Sequence, residues 1–352
     1  MSIRRLIEGS VVAGILLVSG MPVQSGSGDP SYKSTDPLFA AHAPFAMSLS
    51  APLSRAKAER DKSAIYPGEV HSDGKTFSVA VTLRGNRRLS RKVCSYPPLR
   101  LEFDKQAVTH SIFAHQSDLK LVVQCGDGAT YADYLRAEYL IYKALNVLTP
   151  LSFEARWVDV TFVDTDGKMK DRVEGAFFVE RKNRLAKRNG RKITDMPGLK
   201  ISELDLPGAL LLDLFQFVVA NPDYSFTTAP PGDECCHNAK LLSGPKSGSH
   251  TPLIYDFDSS GAINTKYAVP AANLSIRKVT DRFYMGYCEG NDGLSEARAR
   301  ILASQAQVLE LVEVDPLLSS RMKSRLIKFM TEGFDILSDN SRFTKYIVNR
   351  CR

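Results

Sequence analysis

NPDYSFTTAPPGDECCHNAKLLSGPKSGSHTPLIYDFDSS, residues 221–260, is the stretch around which the rest of the chain is read. The run before it, LPGALLLDLFQFVVA at 206–220, is apolar almost throughout and predicts a buried helix. That helix delivers the chain to Asn221-Pro222-Asp223, a loop position for Asp223. Asn238 follows in H-N-A-K-L-L, and Asp256 and Asp258 follow the short apolar strand Leu253-Ile254-Tyr255. Acid, amide and two carboxylates thus stand on three consecutive short elements. Phosphate chemistry needs such a set: an acid that takes the hydroxyl proton, here Asp223, and oxygen ligands for a hard cation. Asn238 and Asp256 are the expected metal ligands, with Asp258 as an auxiliary. If 256–258 stays extended, both carboxylates point to one face. Each position also has a plainer reading: Asp223 as a turn residue, Asp256 and Asp258 as caps of a D-x-D-S-S loop, His237 as a structural histidine. Residues 227–236 must loop out for Asp223 and Asn238 to meet.

Upstream, residues 77–83, 99–103 and 118–125 alternate like strands, and Arg84-Gly85-Asn86-Arg87-Arg88 turns the chain. Residues 131–148 carry apolar positions at helical spacing. Residues 155–162 and 174–180 read as a hairpin around Asp164-Thr165-Asp166-Gly167. Lys120, mid-strand, and Glu138, in the next helix, form the expected nucleotide clamp, a cation for the phosphates held by an acid. No G-x-G-x-x-G is present, so phosphate cradling falls to Arg84 and its turn. Residues 294–312 and 315–337 read as amphipathic helices, with Pro316 in the first turn of the second.

The expected organisation is a signal peptide or N-terminal anchor at 1–28, a linker at 29–75, a β-rich lobe at 76–200 and a mainly helical lobe at 201–352. Arg4 and Arg5 precede an apolar core at 11–18 that is short for a spanning helix. An exported protein, periplasmic or extracellular, is expected. Six cysteines form an even set without any C-x-x-C. Cys94 and Cys125 lie on adjacent predicted strands and form the expected disulfide, while Cys235 and Cys236 are expected to reach different partners. The net charge of +7 is mild. Much of the excess sits at 181–192, a solvated loop or a patch for an acidic partner. Without interleaved aromatics, that run does not suggest nucleic acid.

Taken together, Arg84-Gly85-Asn86, Leu99-Arg100-Leu101, the Glu138 helix, Glu174-Gly175-Ala176-Phe177-Phe178-Val179-Glu180, His237-Asn238 and Tyr255-Asp256-Phe257-Asp258 resemble the spore-coat protein H (CotH) family of atypical kinases. The order of the Asp223, His237-Asn238 and Pro252 to Asp256 segments is also similar to HipA-like kinases. The resemblance covers about residues 77–262 and implies an α+β, protein-kinase-like two-lobe fold: an antiparallel sheet with one helix, then a mainly helical lobe. It implies transfer of the γ-phosphate of ATP, with Mg2+ or Mn2+, to a protein Ser, Thr or Tyr hydroxyl. Two other classes compete: an inactive binding or scaffold protein of the cell envelope, and a metal-dependent glycosyltransferase using the D-x-D. The strands before the D-x-D look antiparallel, which argues against the latter.

Overall fold

The computed structural model describes residues 36–229 and 235–352; the predicted signal segment 1–28 lies outside the described residues. Folded structure begins far earlier than residue 76. Asp36 caps α1 (Pro37–Ala40), accepting a hydrogen bond from the Leu38 amide. Then come β1 (Phe45–Ala51), α2 (Leu53–Glu59), β2 (Tyr66–Ser72) and β3 (Lys75–Leu83). β4 (Leu99–Phe103) and β5 (Asp118–Val122) precede the long helix α3 (Ala129–Leu148). β6 (Ala155–Asp164) and β7 (Arg172–Val179) form the predicted hairpin.

These strands close into a seven-membered barrel in the order β1-β2-β3-β4-β5-β7-β6. An odd ring cannot alternate direction all the way round, so one neighbouring pair must run parallel. That pair is β1·β6, in register from Phe45 opposite Val158 to Ala51 opposite Asp164. Alternation fills the inside: Met47, Leu49, Val79, Val81, Leu101, Leu121, Val160 and Phe178 are all buried there. Phe113 plugs the interior, stacked on Phe103 at 4.9 Å and edge-on to Phe77 and Phe178.

The two-lobe protein-kinase-like fold is therefore wrong for this chain. The expected linker supplies the two strands that turn an open antiparallel sheet into a closed, mixed barrel. The boundary at residue 200 does not mark a break in the core either. A second apolar cluster runs from Val122 to Ile347 and takes in the outer face of the barrel, α3 and the later helices. β7 serves both clusters: Ala176 and Phe178 face the barrel, and Phe177 and Val179 face α3 and the helical layer. This double burial accounts for its unbroken apolar run.

The basic run 181–192 is not a free patch. It contains α4 (Lys182–Arg188), and four of its seven cations are held in ion pairs, while Lys187 and Lys192 are exposed. Arg181 pairs with Asp118, Lys182 with Asp195, Arg184 with Asp36, and buried Arg188 with buried Glu180 at 2.9 Å. β8 (Ile193–Thr194) leads to α5 (Leu206–Val219), buried along most of its length. β9 (Ala239–Ser243) and β10 (His250–Ile254) form a hairpin that joins β8 in a small second sheet.

The C-terminal helices are α6 (Leu294–Ala303), α7 (Gln305–Glu313), α8 (Ser320–Ser338) and α9 (Asn340–Tyr346). Two expectations shift here. The helix predicted at 294–312 breaks at Ser304, whose hydroxyl bonds back to the Ile301 carbonyl at 2.7 Å. Pro316 lies before α8, because Asp315 is turned away to a 2.6 Å ion pair with buried Arg136 and Ser319 caps the helix. Disulfides join Cys94 to Cys125, Cys288 to Cys351, and the neighbours Cys235 and Cys236 to each other, which corrects the expectation for that last pair. Three disulfides place the chain in a non-reducing environment. No helix among the described residues is long and apolar enough to cross a membrane.

Candidate functional site

Leu119 and Leu121 point into the barrel, so Lys120 stands on its outer face. In register directly opposite it on β4 is Arg100, another cation. Like charges opposed across a strand pair are unfavourable unless something negative faces them. Arg84, just beyond β3, and Lys240, on β9, also face Lys120, and Asp256 is the acid among its charged neighbours. Burial first, then Arg84, pushes the Lys120 amine down to about 7. Its Nζ lies 4.6 Å from the centroid of the Tyr255 ring. Arg84 Nε and Arg100 Nε are buried donors with no hydrogen-bond partner in the described chain. Buried N–H groups are rarely left so. A half-buried cluster of cations with one acid among them leaves positive charge for an anion to offset.

Beyond Arg84 the charge reverses. Glu138, Asp256 and Asp258 are mutual electrostatic neighbours, with Arg84 and Arg88 beside them. Burial, then the Asp256 charge, pushes Asp258 up to about 6, and Arg88 at 3.5 Å opposes that rise. Burial and then Asp258 raise Glu138 well above the usual carboxylate range. Asp256 takes a left-handed backbone, φ 69°, and its amide donates to the Tyr142 hydroxyl at 2.9 Å. The segment is thus kinked at Asp256 rather than extended.

The third part of the site follows α5. Buried Tyr224 donates to Asp213 at 2.6 Å and packs on Phe226, which anchors the loop. The chain then leaves and returns, with the Cys235 amide bonded to the Met196 carbonyl and the His237 amide to the Thr228 carbonyl. The excursion brings Asn238 back beside Asp223. Asn238 Nδ2 donates to the Asp223 carbonyl at 2.7 Å and to its carboxylate at 3.2 Å. His237 Nε2 lies 2.8 Å from the other carboxylate oxygen. The Tyr255 amide donates to the Asn238 carbonyl at 3.1 Å, so this group abuts the Asp256 turn. Asp223 remains accessible, its side chain 46% exposed.

The residues predicted from the sequence are therefore brought together, but not all in their predicted relations. No ion pair joins Lys120 to Glu138; arginines are the cations beside Glu138. The expected ligands Asn238, Asp256 and Asp258 each have protein neighbours of their own. Asn238 gives its amide nitrogen to Asp223, which leaves its oxygen for another partner, and Asp258 faces Arg88 at 3.5 Å. Among the described residues no three His, Cys, Asp or Glu side chains are placed to share an ion. Lys240, Tyr142 and Tyr267 belong to the site and were given no role from the sequence, whereas Arg88 was among the arginines of the Arg84 turn and Arg100 stood in a quoted motif without a role. The strand pairing of Arg100 with Lys120 was the available signal for one of them. No protein-family model matches the chain, and no curated protein matches it.

Proposed function

We propose that the chain is an exported phosphotransferase that moves the γ-phosphate of ATP to a protein hydroxyl. The observation that carries this reading is an oriented, accessible acid, Asp223, whose partner Asn238 is hydrogen-bonded to Tyr255, the residue whose ring packs on Lys120 in the cation cluster. Arg84, Arg100, Lys120 and Lys240 supply positive charge for the phosphates, and unsatisfied Nε donors supply directional bonds. Asp223, held by His237 and Asn238, takes the proton from the acceptor hydroxyl. The acceptor oxygen then bonds to the γ-phosphorus while the bond to the β–γ bridging oxygen breaks, and the nucleoside diphosphate departs with that electron pair. Lys120 gains a full charge when the anionic phosphates arrive. The ordered motifs that resemble those of CotH-type kinases support the same chemistry, although the closed barrel is not the two-lobe fold the resemblance implied. Any divalent ion would come with the nucleotide and take most of its ligands from phosphate and water. Export would place the chain in the periplasm or outside the cell, in keeping with its three disulfides.

One observation favours a second reading. Arg88 lies 3.5 Å from the Asp258 carboxylate and already offsets its charge, which suits an envelope protein that binds a phosphorylated ligand without turning it over. Titrating the protein with ATP, with and without Mn2+, and then assaying label transfer to a hydroxyl acceptor separates the two. Binding with transfer supports the enzyme, binding without transfer supports the inactive protein, and no binding removes both.

A further inference from the structure

Asp223 also lines a recess of ≈ 280 Å³ that none of the phosphate-facing side chains enters. Its walls are apolar: Pro222, Val269, Ile276 and Val279 contribute, and Val269 is 57% exposed, high for a large apolar side chain. The wall comes from a segment without regular secondary structure between Thr265 and Tyr287, and irregular segments of that length are commonly functional. The segment is nonetheless fixed in place. Arg87 donates to the Tyr267 carbonyl, and Gly261 packs so closely that a side chain there would meet the Val279 carbonyl at 2.6 Å.

Two of the lining residues tie the recess to the charged cluster. Arg87 adjoins Arg88, and Ser259 adjoins Asp258. The recess therefore lies beside the cluster with Asp223 in its wall, where an acceptor should approach. Its size is at the small end for ligand pockets, room for a side chain or two rather than a whole cofactor. On its rim the exposed cations Arg87, Arg277 and Lys278 outnumber Asp281, whose carboxylate accepts from the Arg277 and Lys278 amides. Apolar walls, a basic surround and a proton acceptor together specify an occupant.

We propose that this recess is the acceptor subsite, and that it takes a hydroxyl side chain flanked by an apolar residue in a peptide that carries acidic residues further out. The inference rests on the phosphotransferase reading for its chemistry, but binding can be measured separately. The experiment compares two fluorescein-labelled peptides by anisotropy on the full chain. One carries Ser beside Val with Glu beyond, and the other replaces Val and Glu by Lys. The acidic, apolar-flanked peptide is expected to bind about tenfold or more tighter, the scale on which apolar pockets discriminate. Val269→Asp, at an exposed position, should abolish that preference, and Ala271→Trp should weaken binding of the favoured peptide about tenfold by filling the recess. ATP affinity should be unchanged in both variants, which also reports that they are folded. Equal affinity for the two peptides, or undiminished preference in Val269→Asp, overturns the proposal. Peptide preference without any ATP-dependent transfer would leave the subsite standing and remove the phosphotransferase reading.

Discussion

Asn238 donates a 2.7 Å hydrogen bond to the carbonyl of Asp223, fifteen positions earlier in the chain. Its amide also reaches the Asp223 carboxylate at 3.2 Å, so one side chain fixes both the backbone and the reacting group. Asn238→Ala should leave ATP affinity within about twofold and lower the transfer rate by roughly 10- to 100-fold, since small misplacements of a reacting group are costly. Parallel binding titrations and single-turnover transfer would check this. A fall in affinity with no fall in rate would count against a positioning role.

The Lys120 amine gives the site a pH signature. Its value in the folded protein is about 7, below the ordinary 10.5. Below about 7 the native state carries a buried cation at full cost; from there to the ordinary value the unfolded chain holds one proton more, so stability rises with pH. Lys120→Met should therefore be more stable than the wild type at pH 6, with the gap shrinking as pH climbs past 7. Phosphate binding favours the charged amine. ATP affinity should weaken toward tenfold per pH unit above about 7 in the wild type and lose that slope in Lys120→Met. Denaturant titrations and ATP titrations from pH 6 to 9 test both halves.

Asp213 behaves in the opposite sense. Burial pushes it up to about 7 from 3.8, against the opposing hydrogen bond from Tyr224 and the charge of Arg352. Between those values the native state holds a proton that the unfolded chain has released. This group's contribution to stability is therefore present at low pH and is lost as pH rises toward 7. Asp213→Asn should flatten that part of the stability profile. An unchanged slope between pH 4 and 7 would show that Asp213 titrates normally.

The barrel closure can be tested at β1. Leu49 is fully buried inside the barrel. Leu49→Ala should cost about 2–5 kcal/mol by chemical denaturation, the usual range for a buried leucine. Were 29–75 a linker, the same change would cost nothing measurable.

Gly261 holds the acceptor recess to the end of α5. A methyl group there would meet the Val279 carbonyl at 2.6 Å and the Ala220 Cβ at 2.8 Å. Gly261→Ala should cost roughly 1–3 kcal/mol, as overpacked sites do, and should weaken peptide binding more than ATP binding. Equal losses in both would mean that the whole fold has been loosened.

The sequence was most legible where one periodicity dominated. β4 falls on the predicted residues and α5 within one, because LRLEF alternates cleanly and the α5 run is apolar throughout. β1 and β2 were hidden by their composition. FAMSLSA alternates only weakly, with Met47, Leu49 and Ala51 buried and small serines half-buried between them, and β2 contains Pro67 and Gly68, which read as turn residues. Gly68 is there for a different reason: a side chain would strike the Ser50 carbonyl at 2.6 Å where β1 and β2 approach. Without those strands the sheet looks open, and the two-lobe fold follows wrongly.

The candidate site was legible by residue type but not by pairing. Asp223, Asn238, Asp256, Asp258, Glu138, Arg84 and Lys120 do lie in adjoining groups. Which cation faces which acid depends on strand register and on the left-handed turn at Asp256. Neither is encoded in local spacing. The recess wall from Val269 to Val279 has no periodicity at all, so nothing in that stretch marked it as a surface.

The central claim is that a cation-lined phosphate site and the Asp223 acid act together. Its most direct test is single-turnover transfer of labelled γ-phosphate from ATP to the acidic, apolar-flanked serine peptide, by the wild type and by Asp223→Asn. The prediction is transfer by the wild type and a loss of about 100-fold or more in Asp223→Asn, with ATP affinity retained. Equal transfer by the two proteins, or no ATP binding by the wild type, would contradict it.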